Sequence, residues 1–202
     1  MRYFFKKTQK GFTLVEIIAV IAITAFLASL TYSSIFEARE NTRVMDTGLI
    51  QKELTKATEA YFRDMGFYPP DVNRGWDPGF EQPIPWNPEE GQSGVPDAGT
   101  SCPECPSDWE VIVADHWAGP YMIWPQKTQW EGKYDYNYWA TAQNRPGSCP
   151  DVPKGIYAGA QGYYGDTSGT TVPASAEQKM IDKGFDADGC LNGESQLLLW
   201  RL

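Results

Sequence analysis

The most specific chemistry in this chain is carried by three residues near its start, Gly11, Phe12 and Glu16. Gly11 precedes an apolar run from Phe12 to Phe36 in which Glu16 is the only charge. A cut after Gly11 would leave a free amine on Phe12, one helical turn from the Glu16 carboxylate. A charge within a membrane helix costs a few kcal/mol when unpaired. An ammonium and a carboxylate from neighbouring helices would neutralise each other there. A cut there would therefore let neighbouring helices pair these two charges. A secretory signal would carry a shorter apolar segment with its cleavage site after it; here the processing point comes first.

The element that positions these residues is a long helix. Twenty-five residues at about 1.5 Å each give roughly 37 Å, enough for a bilayer core of about 30 Å. Arg2, Lys6, Lys7 and Lys10, with no acid among them, make a basic leader that stays in the cytoplasm and sends the rest outward. Glu37-Ala38-Arg39-Glu40 marks the water boundary. Beyond it Ile50, Leu54, Ala57, Tyr61 and Met65 draw one apolar stripe, with Gln51, Lys52, Glu53, Lys56 and Glu59 on the other face. Gly48 weakens the middle, Gly66 is the expected C-cap, and Pro69-Pro70 enforces an extended exit. The expected organisation is a leader over 1–11, a membrane and assembly half-helix over 12–36, an amphipathic half over 37–66 and a globular head over 67–202.

The 202-residue chain has a formal net charge of −9, and loss of the leader's four cations takes it to −13. A nucleic-acid surface would be basic, so no nucleic-acid partner is expected. The balance suits an exported head whose acidic loops could hold hard cations. Cys102, Cys105, Cys149 and Cys190 all lie in the exported part, where an even count favours disulfides.

From Asp71 to Asp108 the chain is rich in Pro, Gly, Asn and acids and reads as a long excursion pinned by Trp76, Phe80 and Trp86, too irregular for a helix or regular sheet. Trp109–Ala114 has strand composition. Lys133–Trp139 alternates, with Tyr134, Tyr136 and Tyr138 on one face, and Gly155–Gly159 is the next strand. A short helix is expected from Pro173 to Lys183, and a buried strand over Gln196–Leu202.

Gly11-Phe12-Thr13-Leu14-Val15-Glu16 resembles the processing motif of type IV pilins and of the pseudopilins of type II secretion. The resemblance implies a prepilin peptidase that cuts after Gly11 and methylates Phe12, with Glu16 docking each subunit against the next. It also implies an α+β pilin-like fold, a long N-terminal helix packed on a small antiparallel sheet with long loops. Tyr61–Pro69, Gly119-Pro120-Tyr121 and Trp130–Tyr134 are similar to elements of the major pseudopilin. Ser33-Ser34 stands where many of these proteins carry a proline.

The loop Asp182–Glu194 places acids two apart ahead of glycine, a pattern suited to Ca²⁺. Asp186, Asp188 and Asn192 are the candidate ligands; the loop departs from an EF-hand. It resembles the calcium loop of the major pseudopilin, and also an Asp-Asp-Gly-Asn loop of pilin-like proteins. A tight turn with solvated acids is the alternative. Cys102-x-x-Cys105 lacks a thioredoxin context, and Cys149 and Cys190 lack zinc-ribbon spacing. Structural disulfides are expected, Cys102 with Cys105 and Cys149 with Cys190, a pairing the sequence does not fix. His116, the only histidine, has no nucleophile or second histidine near it and reads as a packing contact. The eight tryptophans and eleven tyrosines read as core rather than as a sugar platform.

The expectation is a non-enzymatic filament subunit held in the inner membrane by one span, head outside, and then moved into an extracytoplasmic filament. Its partners would be like subunits, the prepilin peptidase, the inner-membrane assembly platform and the membrane. A type II secretion pseudopilin leads; a type IV pilin used in adhesion, motility or DNA uptake, and a pilin-anchored surface-binding module, are the alternatives.

Overall fold

The computed structural model describes residues 11–93, 105–143, 149–161 and 172–202. Helix α1 runs Leu14–Met65, followed by a ribbon of β1 (Trp86–Asn87) and β2 (Gln92–Ser93), α2 (Trp109–His116), β3 (Lys133–Trp139), β4 (Gly155–Gln161), α3 (Ala174–Asp182) and β5 (Ser195–Arg201). The chain forms two compact units, one through Glu40 and one from Asn41 to Leu202. The architecture is α+β and pilin-like, as expected. α1 is helical through Ser33 and Ser34. It ends at Gly66, whose φ of 80° only glycine adopts freely and whose N–H donates to the Phe62 carbonyl at 2.7 Å.

In the second unit, β3, β4 and β5 form an antiparallel sheet in that order. Tyr134, Tyr136 and Tyr138 stand in register with Ala160, Ala158 and Ile156. All six are buried, in one core cluster with Leu54, Ala57, Tyr61 and Met65 of α1. Phe80, from the excursion, meets Tyr61 and Tyr136 edge-on, with ring centroids at 6.3 and 5.6 Å, a favourable aromatic geometry. A second cluster joins Val44, Trp130, Val172, Ala176, Met180 and Phe185.

Four local expectations change. Trp109–His116 is a helix rather than a strand. Trp109, Ile112 and Val113, at helical spacing, pack on the core while Val111 is exposed; a short apolar run fits either periodicity, and the available packing surface decides. Gln51, assigned to the polar face, is fully buried, and its Nε2 donates to the Ala158 carbonyl at 3.1 Å and Ser195 Oγ at 3.2 Å. It ties α1 to two strands. The last strand is buried only at its start, Ser195 and Gln196, and emerges to exposed Trp200 and Arg201. The excursion contains the small β1–β2 ribbon, so it is not wholly irregular.

Gly48, besides lowering helix propensity, marks a close approach. A Cβ there would lie 2.4 Å from the Phe185 ring. Gly48→Ala gains about 1 kcal/mol of helix propensity but overpacks the ring at about 1–3 kcal/mol. The expected result is a net loss of about 1 kcal/mol, seen as a lower thermal unfolding midpoint. A rise would show that Phe185 moves aside freely.

Candidate functional site

Gly11, Phe12 and Thr13 precede the first helical residue, Leu14, and all three are exposed. The bond after Gly11 thus lies in non-helical chain, which a peptidase can thread. From Leu14 the apolar side chains point outward on every side: Val15, Ile18, Ile21, Phe26, Leu30 and Phe36 are all exposed. The most apolar window of α1 has a mean hydropathy of 2.3, and none of it is buried. A helix that is apolar all round needs lipid or other helices about it.

Glu16 has a local role that the sequence reading missed. Its Oε2 accepts from the Thr13 N–H at 2.7 Å and the Thr13 hydroxyl at 2.8 Å, while Thr13 Oγ1 accepts from the Glu16 N–H at 3.3 Å. This is a reciprocal capping box, and its signal, a threonine three residues before a glutamate ahead of an apolar run, was present in the sequence. The cap holds the carboxylate beside the start of the helix, close to where a new Phe12 amine would lie.

The C-terminal loop folds on itself. Glu177, on α3 and buried, accepts the N–H groups of Asn192, Gly193 and Glu194 at 2.8, 3.0 and 3.2 Å. Burial raises its pKa, against the lowering effect of those three donors. Asp188 Oδ1 accepts from the Cys190 N–H at 2.9 Å and Oδ2 from Asn192 Nδ2 at 3.3 Å. Asn192 Oδ1 takes the Glu194 N–H at 2.9 Å, and Asp186 Oδ1 the Gln196 N–H at 3.1 Å. Burial pushes the Asp186 carboxyl up, and the charge of Asp188 adds to the shift. The structure thus brings the three candidate ligands into one loop but turns their oxygens to amides. Asp186 Oδ2 alone among them is buried with no partner. Ca²⁺ takes six to eight oxygens, and among the described residues no three His, Cys, Asp or Glu side chains are grouped to hold a metal. The loop in this arrangement does not fit the ion.

Cys149 and Cys190 form a disulfide with Cα atoms 5.5 Å apart. Cys105 is also disulfide-bonded; Cys102 lies outside the described residues, as does the leader through Lys10. His116 is an exposed residue at the end of α2. In the Gly-Pro-Tyr element, the Tyr121 N–H donates to the Phe80 carbonyl at 2.8 Å, and its hydroxyl to Asp64 Oδ2 at 3.0 Å.

Asp77 was also missed. Its buried carboxylate accepts the N–H groups of Gly79, Phe80, Glu81 and Gln82 at 3.2, 2.7, 3.0 and 2.9 Å. Asp77-Pro78-Gly79 is a turn signature, the signal that could have found it. Asp77→Asn replaces one acceptor oxygen with an amide facing two N–H donors. Urea unfolding should show a loss of about 2–3 kcal/mol; a loss below about 0.5 would mean that the loop orders itself without the carboxylate.

A family model, the prokaryotic N-terminal methylation motif, matches residues 6–32. The chain therefore carries the N-terminal signature of prepilin-like proteins, pseudopilins among them. No curated protein and no solved structure matches the chain.

Proposed function

We propose that the chain is a structural subunit of a pilin-like filament. It is held in the membrane as a precursor, cut after Gly11, methylated on Phe12 and assembled through the helix that begins at Leu14. The observation that carries this reading is a uniformly exposed apolar helix directly behind an accessible Gly11 within the methylation motif. The peptidase performs the chemistry; this chain is its substrate and then a building block. During assembly Glu16 exchanges the Thr13 cap for the Phe12 amine of a neighbour, so that neither charge enters lipid alone.

Within this class, the pseudopilus of type II secretion is the reading we favour, with like subunits, the peptidase and the inner-membrane platform as partners. The Tyr68-Pro69, Gly119-Pro120-Tyr121 and Asp/Gly-rich elements follow one another in the order of the major pseudopilin. A type IV pilin is the second reading, favoured by the turn that Asp77 holds within the excursion and by the Cys149–Cys190 staple.

The test is the intact and N-terminal peptide mass of protein taken from its own membranes. A chain beginning at methylated Phe12 is expected. One still beginning at Met1 in cells with active peptidase overturns the filament reading. Deletion then separates the machines: loss of exported proteins marks a pseudopilus, loss of surface fibres a pilus.

A further inference from the structure

The strand order leaves β3 at one side of its sheet, and the chain that follows α1 lies along it there. The Gly75 N–H donates to the Tyr134 carbonyl at 2.9 Å, and the Tyr138 N–H donates to the Asp71 carboxyl. Segment 71–77 is thereby docked on the strand, and it runs on into the bridge between Asp77 and Trp86. Strand alternation turns Tyr134, Tyr136 and Tyr138 to the core and Lys133, Asp135 and Asn137 to the opposite face.

The charges around this junction are unequal. Arg74 pairs with Glu194 at 3.1 Å, and Lys133 pairs with Glu89; Glu90, beside Glu89, is exposed. Each cation thus already faces a carboxylate, and Asp71 and Asp135 are left over. Asp135 is only 6% exposed. Its Oδ2 accepts from Asn137 Nδ2 at 3.1 Å, while its Oδ1 is buried with no hydrogen-bond partner. Asp71 is half-buried. The Arg74 guanidinium favours a charge on Asp135, whereas Asp71 and Glu194 oppose it. The Tyr136 hydroxyl, which also feels the Asp71 charge, donates to the Pro69 carbonyl at 3.3 Å and stays neutral.

A buried carboxyl with no cation of its own is cheaper protonated than ionised. With a proton on each of Asp71 and Asp135, the two ion pairs and these two acids carry no net charge. With neither proton, two excess negative charges face each other across the seam between segment 71–77 and β3. Burial pushes both carboxyls up to about 7, against the N–H groups of Tyr138 and Val72 at Asp71 and the guanidinium at Asp135. Undocked and in water, both would titrate at roughly 3.9.

We propose that Asp71 and Asp135 form a proton-operated latch: protonated, they hold segment 71–77 on β3, and ionised, they repel each other and release it. A carboxyl that binds its proton more tightly when docked stabilises docking in full below about pH 4, and that contribution is lost as the pH rises to about 7. Each unit between the docked and undocked affinities is a tenfold change in the docking equilibrium. The Asp77 turn and the β1–β2 ribbon follow directly, so release loosens the start of the excursion from the sheet. The latch lies within the head and does not depend on processing or filament assembly.

The test uses the full chain in detergent and follows amide hydrogen exchange by mass spectrometry from about pH 5 to about pH 8, corrected for the intrinsic pH dependence of exchange. Protection of peptides covering 71–77 and 133–139 should fall at least tenfold over that range. Asp135→Asn and Asp71→Asn each keep the shape of the neutral carboxyl. Both should match the unaltered chain at the acid end and stay better protected at the alkaline end. Asp71→Asn, at the less buried position, provides the second route if Asp135→Asn fails to fold. Asp186→Asn removes another carboxyl that burial pushes up to about 7, and it should leave the fall in place. Four outcomes overturn the proposal: protection unchanged over the range, a fall undiminished in either folded variant, a fall abolished by Asp186→Asn, or a fall of equal size in every peptide of the head.

Discussion

Replacing Glu16 by glutamine should leave processing intact and abolish assembly. The substitution keeps the shape of the side chain and a carbonyl oxygen to cap Thr13, so the cut after Gly11 and the helix from Leu14 should persist. It removes the charge that would neutralise a neighbour's Phe12 amine. An unpaired ammonium in lipid costs roughly 2.5–3.5 kcal/mol on insertion scales, repeated at every subunit added. A tenfold change in an equilibrium needs only about 1.4 kcal/mol. Sheared filament yield should therefore fall at least tenfold, with full-length mature chain, beginning at Phe12, accumulating in the membrane fraction. Filaments at wild-type yield would assign Glu16 to the helix cap alone, with no role between subunits.

Removal of the Cys149–Cys190 bridge should have the largest effect on the stability of the head. The bridge closes a loop with a sequence separation of 41, worth roughly 4 kcal/mol on the chain-entropy model. Whole domains are stable by about 5–15 kcal/mol, so this is a large share. The staple also anchors the turn whose amides cap Glu177. Cys149→Ser with Cys190→Ser should lower the denaturant midpoint substantially and raise protease susceptibility in the 172–194 region. An unchanged midpoint would mean that the three N–H bonds to Glu177 hold the turn without help.

Much of this protein follows from local sequence. The apolar run from Phe12 with its single carboxylate, Gly66 before Pro69-Pro70, and the alternation of Tyr134, Tyr136 and Tyr138 each act through backbone conformation or one-dimensional periodicity. A single sequence displays both. The capping box of Thr13 and Glu16 and the Asp77-Pro78-Gly79 turn were equally local and could have been read.

Tertiary structure alone decided where local propensity was silent or divided. Trp109–His116 became a helix because Trp109, Ile112 and Val113 found a core at helical spacing. Gln51 was drawn inside because a backbone carbonyl on β4 and a hydroxyl on β5 needed a donor. Gly48 is needed where Phe185, 137 positions later, meets the helix. Asp135, Gly159 and Gln196 come into one row only once β3, β4 and β5 stand side by side in register. Residue type fixes which groups can bond and which backbone conformations are cheap; the fold decides which of them meet and which polar atoms remain buried without a partner.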